Sequence, residues 1–474
     1  MRIRLVLWKL RIDRSHAPPR IGAMQEMSRS IRIRRGYDLP IAGVAGDELE
    51  RGARVRRVAV LGTDFPGVRP SLIANEGDAV ALGDPLFTDR KRDDIRFCSP
   101  GTGRVSAIRR GRRRALLAMV IDLEDSATTR SVEVPRGDIG SVEPEALRRT
   151  LLRYGLWCAF RSRPYGRIPD PDARPHAVFV TAIDTEPLAA EPSVIIAPAA
   201  ENFRAGLSVL ARLHDGPLYV CTSRRFDVEL PSAAGLVHVR FEGPHPAGLA
   251  GTHIHHLAPA SEERPVWHIG YQDVIAIGRL FADGVLDMRR AVAVAGPAVA
   301  RPGLVETRLG AELDPLVAER GLAADARVVS GSVLSGREWT PEQPFLGRYH
   351  RQVSVLVEAI ARSERRDEAG EGLSVISPFT RLLARRLRRL DTRRIGRAAG
   401  LVPFEVYERV FPFDLPVVPL LRALVASDAE RAIELGALEL DAEDFGLLSA
   451  VCPARYDYAA AWEVFAAGEQ RGAG

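Results

Sequence analysis

Between Gly155 and Pro164 the chain reads GLWCAFRSRP, and from Val178 to Ala189 it reads VFVTAIDTEPLA. A helical run leads into the first block and a strand pattern follows it. That is where an α/β nucleotide-binding domain sets its glycine-rich loop. Such a loop needs glycines so that backbone N–H groups can come close to a phosphate. Here Trp157, Phe160, Arg161 and Arg163 fill the slot. The stretch predicts a dinucleotide-type scaffold whose phosphate loop has been replaced.

At 474 residues the chain is too long for a single core, and roughly two to four domains are expected. With 46% hydrophobic and 27% charged residues it carries no signature of disorder. The apolar run Ala291–Ala300, AVAVAGPAVA, is about half of what a membrane-spanning helix needs, so no transmembrane segment is expected. A net charge of +5 and a pI of about 9.2 invite a nucleic-acid reading. Every basic side chain except Lys9 and Lys91 is arginine, however, as in proteins from GC-rich genomes, and 61 acidic residues nearly balance the total. Nucleic-acid binding is therefore not expected. Cys98, Cys158, Cys221 and Cys452 are scattered, without CxxC or iron–sulfur spacing, which fits a reducing compartment. The basic, partly apolar start MRIRLVLWKLRIDR lacks a cleavage site. Residues 1–30 are read as an N-terminal extension, either a functional arm or the result of a start codon assigned upstream of Met24 or Met27.

From 31 to about 125 short apolar runs (Arg57–Leu61, Ala79–Leu82, Gly103–Ile108, Ala115–Ile121) alternate with Gly, Pro and Asp turns and read as strands. The segments EGDAVALGDPLFTD and FCSPGTGRVSAI resemble the lipoyl/biotinyl barrel-sandwich fold. Lys91 lies near the place where carriers of that fold present a lysine, but it sits in RKRDD, so a structural use of the fold is expected. From about 144 to 260 helices (Pro144–Leu156, Glu201–His214) alternate with strands (His176–Ile183, Pro217–Thr222, Leu236–Phe241), which suggests a Rossmann-like sheet. Ala291–Ala295, Arg327–Ser330 and Gln352–Ala359 read as strands, and Thr307–Glu319 as a helix with Leu309, Leu313 and Leu316 on one face. Ala361–Gly372 reads as a linker. The helices Pro378–Leu390, Pro416–Val425, Ala429–Leu435, Ala442–Val451 and Tyr456–Ala467 follow. The expected units are thus 31–143, 144–262, 263–360 and 373–474.

Four groups of residues carry candidate chemistry. His253 and His255, read on a strand, would point to one side with His245 near them. Without a nearby Cys or an HExxH spacing, packing around a turn is the stronger reading than a metal site. Ser330–Gly336, SGSVLSG, matches neither a nucleophile elbow nor a phosphate loop and reads as a tight turn with Ser caps. The basic run Arg385–Arg397 suits anionic lipid, an acidic partner or a solvated helix face. Phe160, Arg161, Arg163 and Tyr165 join planar side chains to fixed positive charge, which suits a planar, oxygen-bearing ring such as a quinone. Taken alone, these residues are better read as structural.

Blocks spread in order from 31 to about 460 resemble the NqrA family, the A subunits of the sodium-translocating NADH:quinone reductases. They include Ile31–Gly43 (IRIRRGYDLPIAG), GLWCAFRSRP, VFVTAIDTEPLAA, Gly243–His255 (GPHPAGLAGTHIH), Phe345–Leu356 (FLGRYHRQVSVL), Tyr407–Leu424 (YERVFPFDLPVVPLLRAL) and Leu435–Tyr458 (LGALELDAEDFGLLSAVCPARYDY). The resemblance implies a multidomain α/β fold. Its parts would be an N-terminal lipoyl-like barrel sandwich, a Rossmann-like domain, a β-grasp-like (SLBB-type) domain and a C-terminal helical domain. The whole would be similar to the flavin subunit of complex I without its cofactor sites.

The resemblance further implies a peripheral subunit on the cytoplasmic face of the bacterial inner membrane. Its complex, a translocase, would couple electron transfer from NADH to ubiquinone to Na+ export. The implied partners are the B to F subunits, especially the membrane-embedded B subunit. No cofactor would be bound by this chain, ubiquinone would be its ligand, and flavins, iron–sulfur centres and NADH would lie in the partners. Two segments in the family are associated with quinone, which here places Phe65, Val68, Phe160, Arg161, Arg163 and Tyr165 at the candidate site. No catalytic residue and no metal ligand is expected. Leu448 stands where relatives commonly carry a second cysteine, so only Cys452 remains there. The alternatives are a flavin-linked NADH dehydrogenase like the Rnf C subunit, or a pure assembly scaffold. The glycine loop and cluster cysteines that the dehydrogenase needs are missing.

Overall fold

Glycine–aspartate turns cut the first unit into short strands. The computed structural model describes residues 29–135, 139–358, 392 and 405–472. Its first strands are β1 (Arg29–Arg32), β2 (Leu49–Arg51), β3 (Arg57–Leu61), β4 (Pro70–Leu72) and β5 (Ala79–Val80). Then come β6 (Pro85–Asp89), β7 (Arg92–Cys98), β8 (Gly103–Arg110), β9 (Leu116–Leu123) and β10 (Thr129–Ser131). One antiparallel sheet runs β3-β9-β8-β5, and a second runs β4-β6-β7. Their apolar faces share Val58, Phe87, Phe97, Met119 and Ile121. The strand expected over Ala79–Leu82 shrinks to two residues. The Asp84 carboxylate accepts from the Ala81 amide at 2.9 Å and Gly83 takes φ +86°, so the chain turns at once. Lys91 sits in the two-residue turn between β6 and β7.

The second unit contains α1 (Pro144–Arg153), β11 (Arg161–Arg163), β12 (Ala177–Ala182), α2 (Pro192–Ile196), α3 (Ala200–Leu213) and β13 (Leu218–Thr222). It continues with β14 (Leu236–Glu242), α4 (Ala250–Leu257), β15 (Val266–Gly270), α5 (Tyr271–Asp283) and β16 (Val285–Asp287). The sheet order is β1-β14-β13-β12-β15-β11, parallel except for β11. Every residue of β12 is buried, as its unbroken run AVFVTA requires of a central parallel strand. The chain leaves β12 for β13 and β14 on one side and returns to β15 on the other. The order therefore reverses between β12 and β15, where open α/β sheets leave a crevice at the strands' carboxyl ends. The stretch Pro192–Leu213 is long and apolar enough to cross a membrane by length and composition. It is broken at Ala197–Ala199, and α3 turns Phe203, Leu207 and Leu210 into the core.

The third unit is formed by β17 (Arg289–Ala295), β18 (Gly303–Arg308), α6 (Leu313–Ala318), β19 (Ala326–Ser330), β20 (Arg337–Glu338) and β21 (Gln352–Val357). Its sheet runs β2-β18-β17-β21-β19-β20. The helix expected over Thr307–Glu319 is corrected here: Thr307 and Arg308 end β18, and helix begins only at Leu313. Gly310 takes φ +64° and its carbonyl accepts from the Ala59 amide at 2.9 Å, so contact with β3 overrides the helical pattern. β1 and β2 lie outside the barrel, where the sequence pattern put 31 onward. β1 pairs with β14 (Ile31 beside Phe241), and β2 pairs with β18 (Leu49 beside Leu304).

The last unit holds α7 (Glu405–Val410), α8 (Val417–Val425), α9 (Ala429–Glu434), α10 (Gly446–Val451) and α11 (Tyr458–Gly472) around Tyr407, Phe413, Leu420, Phe445 and Tyr458. Leu448 and Cys452 are both in this core, and the Tyr407 and Tyr458 hydroxyls lie 3.1 and 3.3 Å from the Cys452 Sγ. The extension before residue 29, the linker Ala361–Gly372, the helix Pro378–Leu390 and the basic run Arg385–Arg397 fall outside the described residues, Thr392 excepted.

Candidate functional site

The block GLWCAFRSRP becomes the edge of the parallel sheet. Gly155 ends α1 in the left-handed region at φ +71°, and a Cβ there would stand 3.0 Å from the Cys98 Sγ. A 3-10 turn, Leu156–Ala159, then feeds β11, which pairs antiparallel with β15, Arg161 beside His268 and Arg163 beside Val266. The Trp157 and Phe160 rings pack against each other and against Trp267, with centroids 5.2 to 5.9 Å apart. Phe160 is 1% exposed, so its ring belongs to this aromatic core.

Arg161 and Arg163, two apart on a strand, share a face. That face meets the acidic turn before α10. Arg163, fully buried, places Nη1 2.7 Å from Asp444 and Nη2 2.8 Å from Glu443. Arg161 Nη2 lies 2.6 Å from Asp441 and Nη1 3.5 Å from Glu443. The two acids respond differently. Burial pushes the Glu443 carboxyl up, but Arg161, Arg163 and Arg351 outweigh it and hold the group below its ordinary value. Asp444 is pushed up by burial, with the Glu443 charge adding to the push, more than Arg163 can offset. Gly251 on α4 leaves room for Asp444, since a Cβ there would stand 2.5 Å from Oδ2. Tyr165, at φ +75°, donates its hydroxyl to Glu262 at 2.9 Å, and the Arg167 guanidinium lies 4.9 Å from its ring centroid.

Phe65 approaches from the barrel. Its ring packs edge-on against Phe97 at 4.6 Å and Tyr349 at 6.3 Å, while Val68 lies half-buried beyond. A cavity of about 50 Å³ opens beside it, lined by Leu61, Phe65, Cys98, Leu156, Cys158 and Arg348. Burial raises both thiols, Cys158 to about 12, so neither is a thiolate nucleophile. Tyr349 ties the two sequence segments together. Its hydroxyl donates to the Cys158 carbonyl at 2.9 Å, and Arg161 stacks over its ring at 5.2 Å. Arg348 is fixed by Asp273 at 2.9 Å; burial pushes that carboxyl up, but Arg348 and Arg290 hold it below its ordinary value.

A second cavity, about 90 Å³, lies at the carboxyl ends of β12 and β15. Arg161, Thr181, Gly270, Tyr349, Arg351 and Glu443 are among its walls. Sequence reasoning singled out none of Arg348, Tyr349, Arg351 and Glu443. Arg348, Tyr349 and Arg351 all stand in FLGRYHRQVSVL, whose dense aromatic–basic pattern was the available signal.

The SGSVLSG turn acts as a clasp. The Ser332 and Ser335 hydroxyls both donate to Glu186, which follows β12. Burial pushes the Glu186 carboxyl up to about 7, with the Asp184 charge assisting and the two serines partly opposing. A raised folded-state value means that the folded chain holds a proton the unfolded chain has already lost. Stability from this group is full below the ordinary carboxylate range, about 4.3, and declines as pH rises through about 7. Glu186→Gln keeps an acceptor and removes the titration. We expect denaturation midpoints of the variant to pull ahead of the parent between pH 5 and 8 (roughly that window). Parallel pH profiles would sink this assignment.

The strand reading of His253 and His255 is corrected: both lie on α4, where residues two apart diverge by about 200°. His253 Nε2 donates to the Ala247 carbonyl at 3.0 Å, and burial lowers its pKa to about 3. His255 bridges Glu439, at 2.8 Å, and the Asp414 amide, at 3.0 Å. Among the described residues no three His, Cys, Asp or Glu side chains are placed to hold a metal ion.

Residues 31–124 match the NqrA N-terminal barrel-sandwich hybrid domain, 142–286 the NqrA second alpha/beta domain, and 291–340 the NQRA C-terminal domain. The chain is 44% identical over 431 residues to the A subunit of the Na(+)-translocating NADH-quinone reductase of Cellvibrio japonicus (strain Ueda107), covering 90% of this chain and 96% of that protein. It is 44% identical over 440 residues to the corresponding protein of Serratia proteamaculans (strain 568), covering 90% and 97%. A solved NAD+-reducing NiFe hydrogenase aligns with a TM-score of 0.34 and 16% identity over 45% of this chain and 47% of that one, which is too slight to carry an argument.

Proposed function

The chain belongs to the NqrA family, the A subunits of the Na(+)-translocating NADH-quinone reductases, and on that premise we propose that it serves its complex by docking on the membrane subunits and contributing contacts to quinone. It is one component of a multi-subunit, membrane-bound translocase. We place it peripherally on the cytoplasmic face, against the membrane-embedded B subunit, with NADH oxidation, flavins and iron–sulfur centres in the B to F subunits. The strand-order reversal between β12 and β15 supports a Rossmann-like ancestry shared with the complex I flavin subunit. At that crevice one of the chain's own carboxylates, Glu443, stands where a bound anion would, beside Arg161. The domain divisions at 143, 262 and 360 belong to the same proposal.

The observation that carries the quinone reading is the apolar cavity walled by Phe65 with a single guanidinium, Arg348, at its side. A ring gains from an aromatic neighbour and a quinone oxygen from a cationic donor. At about 50 Å³ the cavity admits a few waters, so a ring enters only as its walls part. Phe65 then touches the ring, with Val68 at the rim and Arg161 reaching across Tyr349. Phe160, Arg163 and Tyr165 hold these groups in place. Phe65→Ala should weaken binding of a quinone analogue to the purified chain and the assembled complex by about tenfold, the value of one buried aromatic contact. Unchanged affinity with normal assembly would remove the binding role and leave a scaffold.

A further inference from the structure

The hairpin that joins β8 to β9 carries Arg109, Arg110, Arg112, Arg113 and Arg114, five arginines in six positions. Arg110, Arg112, Arg113 and Arg114 are exposed. Arg109 Nη1 donates to the Pro341 carbonyl at 2.9 Å and Arg110 Nη1 to the Arg114 carbonyl at 3.2 Å, both neutral acceptors. Among the described residues none of the five has a carboxylate at ion-pair distance, and Glu76 turns its carboxylate to the Ile108 amide, at 2.6 Å. The backbone of the turn is strained as well. Arg113 and Arg114 stand in the left-handed region, at φ +54° and +60°, while Gly111, at φ −95°, makes no use of its freedom. Hairpin turns ordinarily give left-handed positions to glycine or asparagine, because a larger side chain is strained there. Two strained arginines side by side point to a use for the guanidinium groups rather than for the turn.

The tip lies at the end of the barrel that carries Phe65. β3 runs beside β9, with Leu61 opposite Ala118, and a Cβ on Gly62 would collide with the Leu116 carbonyl. The segment from Gly62 to Arg69 therefore leaves the sheet next to the arginines, with Thr63, Pro66, Gly67 and Arg69 exposed. A guanidinium is a planar fork that matches a phosphate. Several exposed forks on one tip suit a surface that presents many phosphates. The run from Arg109 to Arg114 holds no aromatic ring on which a nucleic-acid base could stack, and the complex to which the chain belongs is membrane-bound. We propose that the β8–β9 tip seats on the phosphates of anionic lipid headgroups and holds the Phe65 end of the barrel at the bilayer surface. This deepens the peripheral placement proposed above and rests on it, but it does not depend on the quinone reading.

The test is flotation of the full chain with phosphatidylglycerol vesicles, against phosphatidylcholine. Partition onto the anionic vesicles is expected, weakened about fivefold for each arginine removed and on the order of a hundredfold when Arg112→Gln, Arg113→Gln and Arg114→Gln are combined. Arg51→Gln, Arg54→Gln and Arg56→Gln together remove equal charge from other exposed positions and should leave partition close to the parent's. Equal loss in both triple variants would reduce the effect to net charge and overturn the proposal. Arg113→Asn with Arg114→Asn relieves the left-handed positions, so this protein should melt at or above the parent temperature while binding vesicles more weakly. A melting point well below the parent's would show that the arginines serve the turn and would end the proposal. Assembly with the other subunits in detergent, where no bilayer exists, separates the partners: its loss in the Arg112, Arg113 and Arg114 variant would assign the tip to an acidic protein surface and overturn the lipid. A parent chain that floats through the tip but does not assemble would remove the wider docking reading and leave this proposal standing. A chain that assembles and floats regardless of the substitutions would do the reverse.

Discussion

Arg163→Met should destabilise the folded chain by about 3–5 kcal/mol, the usual cost of removing one partner from a buried ion pair. Arg163 is 0% exposed, and its removal leaves the fully buried Asp444 carboxylate without its cation at the contact between β11 and the helical unit, with Glu443 keeping only Arg161 at 3.5 Å. The destabilisation comes mostly from the stranded Asp444 carboxylate, not from lost attraction. Adding Glu443→Gln and Asp444→Asn to Arg163→Met should therefore recover much of the loss. Arg161→Ala, at a partly exposed position, should cost less. Urea midpoints measure all three, and limited proteolysis reports whether residues 405–472 come loose. A loss below about 1 kcal/mol for Arg163→Met would place this contact among ordinary surface pairs.

Gly278→Ala should also destabilise strongly, against the expectation from helix propensity. On an isolated helix alanine would gain about 1 kcal/mol over glycine. Here α5 crosses α3 with the two backbones touching. A Cβ on Gly278 would lie 2.6 Å from the Asn202 carbonyl carbon and 2.9 Å from the Gly206 amide nitrogen. These are backbone atoms of α3, so no rotamer change relieves the overlap and the helices must separate. We expect a net loss of about 3 kcal/mol or more, at the upper end of overpacking costs, and no soluble folded protein for Gly278→Leu. Thermal melts of Gly278→Ala decide the sign, and a raised melting temperature would falsify the close crossing.

The strands most legible in the sequence were those whose pattern local burial imposes. The unbroken apolar run of β12 and the turn-bounded runs of β3, β8 and β9 follow from which face is covered. Misreadings fell where a distant segment intervened. Thr307 and Arg308 look helical beside Leu313 and Leu316, yet Gly310 is held by Ala59 across 251 positions. His253 and His255 look like strand neighbours, yet the turns at Gly243 and Gly248 lead into α4. Nothing in RSIR or LER marks β1 and β2 as edge strands of two other sheets, because edge pairing rests on backbone groups that every residue possesses.

The candidate site shows the same division. Sequence alone showed that GLWCAFRSRP is no glycine-rich phosphate loop, because a phosphate needs glycine backbone and Trp157, Phe160 and the arginines cannot supply it. It also carried the family, through ordered blocks along most of the chain. Only the tertiary structure decided what the replacing residues do. Charge, size and spacing are local properties, but whether a guanidinium faces solvent, a ligand or a carboxylate 281 positions away depends on which surfaces the fold brings together. Arg163 meets Asp444 and is spent inside, while Phe65, from the barrel, lines a cavity of about 50 Å³.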